Sequence, residues 1–208
     1  MIYDAPASFI QPSFFDGVHR LDRWPFGHLE ANAYSLIMID CAWKFRTWSI
    51  AGEEKSPQAK YRTMTLEEIR ALPVRDLATD PCMLWMWATA PGLAEHVDIL
   101  RHWGFKFVTS GAWVKTTKNG KLHFGTGYTL RNSHEIFLIG SIGDPTYEAR
   151  NVRSVIMEPA REHSRKPDQA YSMARMLIPK GRAADVYSRE RRPTWESFGD
   201  EAGKFDGS

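Results

Sequence analysis

Short apolar runs alternate with segments of mixed period along most of the chain. Residues 34–40 (YSLIMID) are a continuous apolar run that ends in an acid, which predicts a buried strand. Residues 82–88 (CMLWMWA), 105–114, 134–140, 153–157 and 183–188 predict five more strands. Between them lie helix signals. Thr65-Leu-Glu-Glu68 is a capping-box pattern, so a short helix should begin at Leu66 and end before Pro73. Residues 91–103 place Leu93, Val97 and Leu100 on one face and stop at Gly104. Pro167 suits the first turn of a helix running to Ile178, closed by Pro179 and Gly181. Strands alternating with helices predict an α/β sheet covered on both faces. Residues 1–33 and 41–61 read as irregular, and residues 115–131 as a loop rich in Gly, Thr and Lys.

Composition narrows the class. A chain of 208 residues, 43% hydrophobic and 25% charged, is globular and long enough for one domain with extensions. Its two cysteines, Cys41 and Cys82, cannot build a disulfide framework or a four-cysteine zinc site, which suits a reducing cytoplasm. The start reads as no signal peptide, and no apolar run reaches membrane-span length. The net charge of +2 hides an uneven layout. Residues 100–134 contain no acid and carry Arg101, Lys106, Lys115, Lys118, Lys121 and Arg131. Residues 150–192 carry eleven basic and five acidic residues. Two basic segments suggest a surface facing a polyanion, with solvated charge as the plainer alternative. Charge alone leaves DNA, RNA and a nucleotide equally open.

Known chemistry motifs are few. There is no P-loop, no metal-ligand spacing and no serine-hydrolase elbow, and Gly125-Thr-Gly127 is too short for a dinucleotide fingerprint. Sites in open α/β sheets form at the carboxyl ends of strands. That directs attention to Asp40-Cys41-Ala42-Trp43. An acid followed by a tight segment and a large aromatic can hold a flat ring bearing an amine. The ring stacks on Trp43, worth roughly 1–3 kcal/mol. The Asp40 carboxylate accepts one amine hydrogen and the Cys41 carbonyl the other. The alternative is an acid capping the next segment beside a core tryptophan.

The order of motifs resembles the N6-adenine methyltransferase family that includes the catalytic subunit of the eukaryotic messenger-RNA adenosine methyltransferase. The resemblance runs from about Trp24 to Gly199. It rests on IMIDCAW, KYRTMTLEEIRALPV, the strand–helix–strand unit ending in WVKT, FGTGYTLRNSHEIFLIG, REHSRKPDQAY and VYSRERRPTWESFGDE. It implies a Rossmann-like α/β fold with a mixed, mainly parallel sheet. It also implies S-adenosylmethionine as cofactor and nucleic acid as substrate. DNA is favoured over RNA by likeness to short bacterial and phage members. Residues 34–208 would form a single methyltransferase domain, with residues 1–33 an extension packed on it.

Carried over by position, Asp40, Cys41, Ala42 and Trp43 take the catalytic motif. Lys166, Arg189, Asp200, Glu201 and Asp22 take cofactor positions, and Glu135 matches a glutamate read as structural. Lys115, Lys118, Lys121, Arg131, Arg161 and Arg165 are the candidates for gripping nucleic acid. Cys41 and Ala42 stand where the family has two prolines, a loss of rigidity worth roughly 0.4–1 kcal/mol each. A weak or inactive partner subunit that binds nucleic acid is therefore the rival reading. The resemblance also admits a homodimer, or a heterodimer with a related subunit.

Overall fold

The computed structural model describes residues 24–43, 63–127, 129–162 and 165–207. Seven strands form one sheet: β1 Tyr34–Ile39, β2 Ala78–Ala88, β3 Lys106–Thr116, β4 His134–Ile142, β5 Val155–Pro159, β6 Arg182–Val186 and β7 Glu196–Phe198. Their spatial order is β5-β3-β4-β2-β1-β6-β7. Only β4 runs against the rest, pairing antiparallel with β2 and β3, while the other neighbours pair in parallel. The expected mixed, mainly parallel α/β sheet is present. Among the described residues, three α-helices accompany it: α1 Leu66–Arg70, α2 Leu93–His102 and α3 Asp168–Leu177.

Alternation along the central strands builds two cores. On β1, Ile37 and Ile39 face the layer containing Ile69 of α1 and Ile99 and Leu100 of α2. Leu36 and Met38 face the opposite layer, with Ala170, Tyr171 and Met173 of α3. All four β1 side chains are fully buried. Each contributes about 1.5–3 kcal/mol relative to exposure. A strand covered on both faces reads as a nearly continuous apolar run, as YSLIMI does apart from Ser35. Trp85 and Trp87 of β2 lie in the second core, with Trp85 stacked on Phe137 at 4.0 Å. Gly140 of β4 lets α2 approach closely, since a Cβ there would sit 3.1 Å from Leu100 Cδ2.

The capping box forms as expected: the Thr65 hydroxyl accepts from the Glu68 N–H, and the Glu68 carboxylate accepts from the Thr65 N–H. Several boundaries differ from those predicted. β2 begins at Ala78, four residues early, because its pairing with β1 continues across a register shift between Tyr34 and Leu36. Pro167 caps α3 in extended conformation and stands just outside its first turn. β7 carried no signal, having three residues, all half-buried. Residues 24–33 pack against the domain through Phe26 and Leu29, with Phe26 edge-on to Phe198 at 6.1 Å. Among the described residues, no helix is long and apolar enough to cross a membrane.

Candidate active site at the carboxyl edge

Asp40 follows the last residue of β1, where its N–H donates to the Val186 carbonyl of β6. The carboxyl ends of β1 and β6 are thus in register, and side chains from both meet outside the sheet. Lys166 arrives from the segment before α3. Its Nζ is 3.0 Å from Asp40 Oδ2 and 2.9 Å from Glu135 Oε2. Glu135, near the start of β4, also takes Lys115 Nζ of β3 on its other oxygen, at 2.5 Å. The four charges form a ladder: Asp40, Lys166, Glu135, Lys115. The Lys166 side chain is 9% exposed, with its ammonium 5.1 Å from the centre of the Trp87 ring.

The ladder decides the charge states. Burial raises the Asp40 carboxyl, and Glu135 adds to the rise, while Lys166 and Arg189 oppose it. Burial also pushes Glu135 up, but Lys166 and Lys115 outweigh it and bring the carboxyl down to about 2. Burial would lower the Lys166 ammonium, yet Asp40 and Glu135 hold it above its ordinary value. Lys166 therefore stays charged at neutral pH as the counter-ion of a buried acid.

The segment after Asp40 is pinned without its prolines. The Met64 N–H donates to the Ala42 carbonyl at 2.8 Å. The Trp43 indole N–H donates to the Trp87 carbonyl at 3.3 Å. Cys41 packs in the first core, and burial with the nearby Asp40 charge pushes its thiol well up, so the side chain acts in packing rather than as a nucleophile. The Cys41 carbonyl already accepts the Trp43 N–H at 2.8 Å, which leaves one of its lone pairs. Trp43 is 6% exposed and stacked on His96, with ring centres 3.7 Å apart. Burial lowers His96 to about 4, so its imidazole is neutral. Receiving a base on Trp43 requires the indole to become uncovered.

A small cleft lies beside Asp40 and Lys166, lined also by Asp185, Tyr187 and Arg189. Asp185, in β6, is 2% exposed. Burial pushes its carboxyl up to about 7, against Ser188 and Arg192. Its Oδ2 has no hydrogen-bond partner among the described residues, with Arg192 Nη1 3.9 Å away. Arg189 Nη1 is 3.0 Å from Glu201 Oε2. β7 makes this contact possible, because the Ser188 N–H donates to the Phe198 carbonyl and brings Glu201 back to Arg189. Asp200 is exposed at that turn, and Asp22 lies outside the described residues.

The six candidates for gripping nucleic acid divide. Lys118, Lys121 and Arg131 are exposed. The other three turn inward. Lys115 belongs to the ladder. Arg161 pairs with Asp168 at 2.7 Å. Arg165 is bidentate on Glu190 at 2.7 and 2.9 Å. Sequence reasoning missed Asp185, although an acid inside the apolar run AADV was a signal for it. It took Glu135 as structural, and the structure puts that carboxylate in contact with Lys166.

A mainly parallel α/β sheet with a carboxylate–ammonium pair at its carboxyl edge, beside a polar cleft, has its candidate site where open α/β sheets place ligands. The chain matches the MT-A70 family over residues 34–201 and belongs to it. It is 30% identical over 172 residues to an Arabidopsis thaliana protein named N(6)-adenosine-methyltransferase MT-A70-like, covering 81% of this chain and 24% of that one. It is 27% identical over 173 residues to the N(6)-adenosine-methyltransferase catalytic subunit of Homo sapiens, covering 81% and 28%. It is 29% identical over 147 residues to the Type II methyltransferase M.MunI of a Mycoplasma species, covering 69% and 60%. The chain thus spans about a quarter of the length of its plant and animal relatives.

Proposed function

We propose that this protein transfers the methyl group of S-adenosylmethionine to the N6 amine of adenine in nucleic acid, with DNA preferred over RNA. The observation that carries the reading is the Asp40–Lys166 pair at the carboxyl end of β1, 3.0 Å apart beside the polar cleft. The DNA preference draws on M.MunI, of which the chain covers 60%, against about a quarter of the eukaryotic relatives.

The residues present fit the cofactor. Asp185 offers a buried carboxylate oxygen without a hydrogen-bond partner among the described residues, suited to an ammonium. Lys166 and Arg189 line the cleft as cations for a carboxylate, and Glu201, paired with Arg189, and the exposed Asp200 beside it offer acceptors for ribose hydroxyls. When bound, S-adenosylmethionine supplies a sulfonium-activated methyl group. The chain's own task is to hold the amine. Asp40, paired with Lys166 at 3.0 Å, accepts one amine hydrogen through its ionised form, and the free lone pair of the Cys41 carbonyl accepts the other. Both bonds draw the nitrogen lone pair out of conjugation with the ring, which makes it available to the methyl carbon. The gain is chiefly one of position. Asp40→Ala is expected to abolish transfer while cofactor binding by calorimetry persists; unchanged turnover would remove Asp40 from this role.

A second reading, a subunit that binds nucleic acid but transfers nothing, is favoured by the covered Trp43 ring. Calorimetry with the cofactor separates the two readings, because such a subunit would give no heat of binding. The two buried, unbridged cysteines suit a cytoplasmic location.

A further inference from the structure

Residues 117–127 and 129–133 form an arm on the same edge of the sheet as Asp40. β3 runs parallel to β1 and β4 runs back, so the connection between them leaves and rejoins the carboxyl edge. Its base is tied to the site through Lys115 and Glu135. The arm is built by its own backbone. The Thr117 N–H donates to the Lys121 carbonyl at 2.7 Å, His123 to Lys115 at 2.9 Å, and Gly125 to Asn132 at 3.0 Å. Gly125 and Gly127 sit where its two limbs touch: a Cβ would lie 2.4 Å from the Asn132 oxygen and 2.0 Å from that of Leu130. Those glycines serve a close backbone approach, not a phosphate.

The outer surface of the arm is apolar and cationic together. Phe124 is 77% exposed, Leu130 81% and Leu122 64%. The Arg131 guanidinium lies 5.5 Å from the Phe124 ring centre, and Lys118 and Lys121 are exposed on the same arm. No acid occurs between residues 100 and 134. An exposed aromatic ring with one cation beside it and two more on the same arm, and no acid in the segment, matches a strand of unstacked bases on a phosphate backbone. A protein surface of ordinary mixed charge would meet uncompensated cations here.

We propose that this arm is a nucleic-acid-binding element in which Phe124 stacks on a base and Lys118, Lys121 and Arg131 hold adjacent phosphates. The inference rests on the nucleic-acid substrate proposed above and adds a stacking residue to it. A base must leave its stack to reach Asp40, and a stacking surface beside the site offsets part of that cost.

The test is fluorescence anisotropy of a labelled single-stranded DNA oligonucleotide with the full chain, without cofactor, over a series of salt concentrations. Phe124→Ala should weaken binding roughly 5- to 150-fold, the range of one base–aromatic stack, and leave the salt slope unchanged. Phe124→Trp should restore binding. Lys118→Ala with Lys121→Ala should flatten the slope by about 1.4, two contacts at roughly 0.7 each. An unchanged affinity for Phe124→Ala overturns the proposal. So does a wild-type protein that binds no DNA, or a Phe124→Ala variant that breaks up an oligomer while its DNA affinity stays the same. Binding is read without methyl transfer, so the arm and the methyltransferase reading can fail separately.

Discussion

Replacing Lys166 by Met removes the charge that two half-buried carboxylates share, while the new side chain keeps most of the volume. Packing changes of that kind usually cost under about 1.5 kcal/mol. The electrostatic loss is larger. Lys166 lies 3.0 Å from Asp40 and 2.9 Å from Glu135; removing one partner of a fully buried pair costs about 3–5 kcal/mol, an upper bound here because the two carboxylates are 21% and 24% exposed. Glu135 keeps Lys115, so most of the loss falls on Asp40. Burial already raises the Asp40 carboxyl, and without Lys166 it rises further. A carboxyl raised in the folded state binds its proton more tightly there than in the unfolded chain. The deficit of the variant should therefore be largest at high pH and should shrink as pH falls toward the ordinary value of 3.8. In the wild type, Glu135 is lowered, so its contribution holds above 4.5 and is lost only as pH falls through about 2. The contribution of Lys166 is lost only in strong alkali, because its ammonium is raised. Urea unfolding of both proteins from pH 5 to pH 8 gives the difference directly, and any slope that both share cancels. A deficit constant across that range would mean lost packing alone, and no deficit would mean that the pair does not stabilise the site. Either result refutes the argument.

Other outcomes follow from the same geometry. Asp185 is raised to about 7, so the stability it lends is complete below 3.8 and lost as pH rises through 7; Asp185→Asn should remove about 1 kcal/mol of the fall in unfolding free energy between pH 6 and pH 8. Arg165→Ala should cost about 2 kcal/mol in urea unfolding by breaking the bidentate pair with Glu190, yet leave the salt dependence of DNA binding unchanged. Trp43→Ala should cost about 3–5 kcal/mol by emptying a buried site, so Trp43→Phe is the variant for turnover measurements. Thr65→Ala should cost about 1 kcal/mol through the lost cap of α1.

What the sequence discloses follows the length scale of each signal. β1 is legible because both of its faces are buried, so YSLIMI is apolar but for the half-buried Ser35. The cap of α1 is legible because both partners lie within four residues. Asp40 stands out as an acid at the end of such a run. The ladder is not legible, since Lys166, Glu135 and Lys115 meet only after three separate strands and a crossover are in place. For the same reason Arg165 reads as a surface cation: Glu190, which neutralises it, is 25 residues away. β7 escapes because three half-buried residues have no period, yet it brings Glu201 to Arg189. The arm shows its charge in the sequence but not its shape. Only the fold reveals that Phe124 is exposed rather than buried, as the core tryptophans Trp85 and Trp113 are.

The most direct test of the account is mass spectrometry of nucleosides from adenine-containing DNA and RNA incubated with the purified protein and isotopically labelled S-adenosylmethionine. The account predicts labelled N6-methyladenine with the wild type, more from DNA than from RNA, and none with Asp40→Ala. The absence of labelled adenine from every DNA and RNA substrate would contradict it.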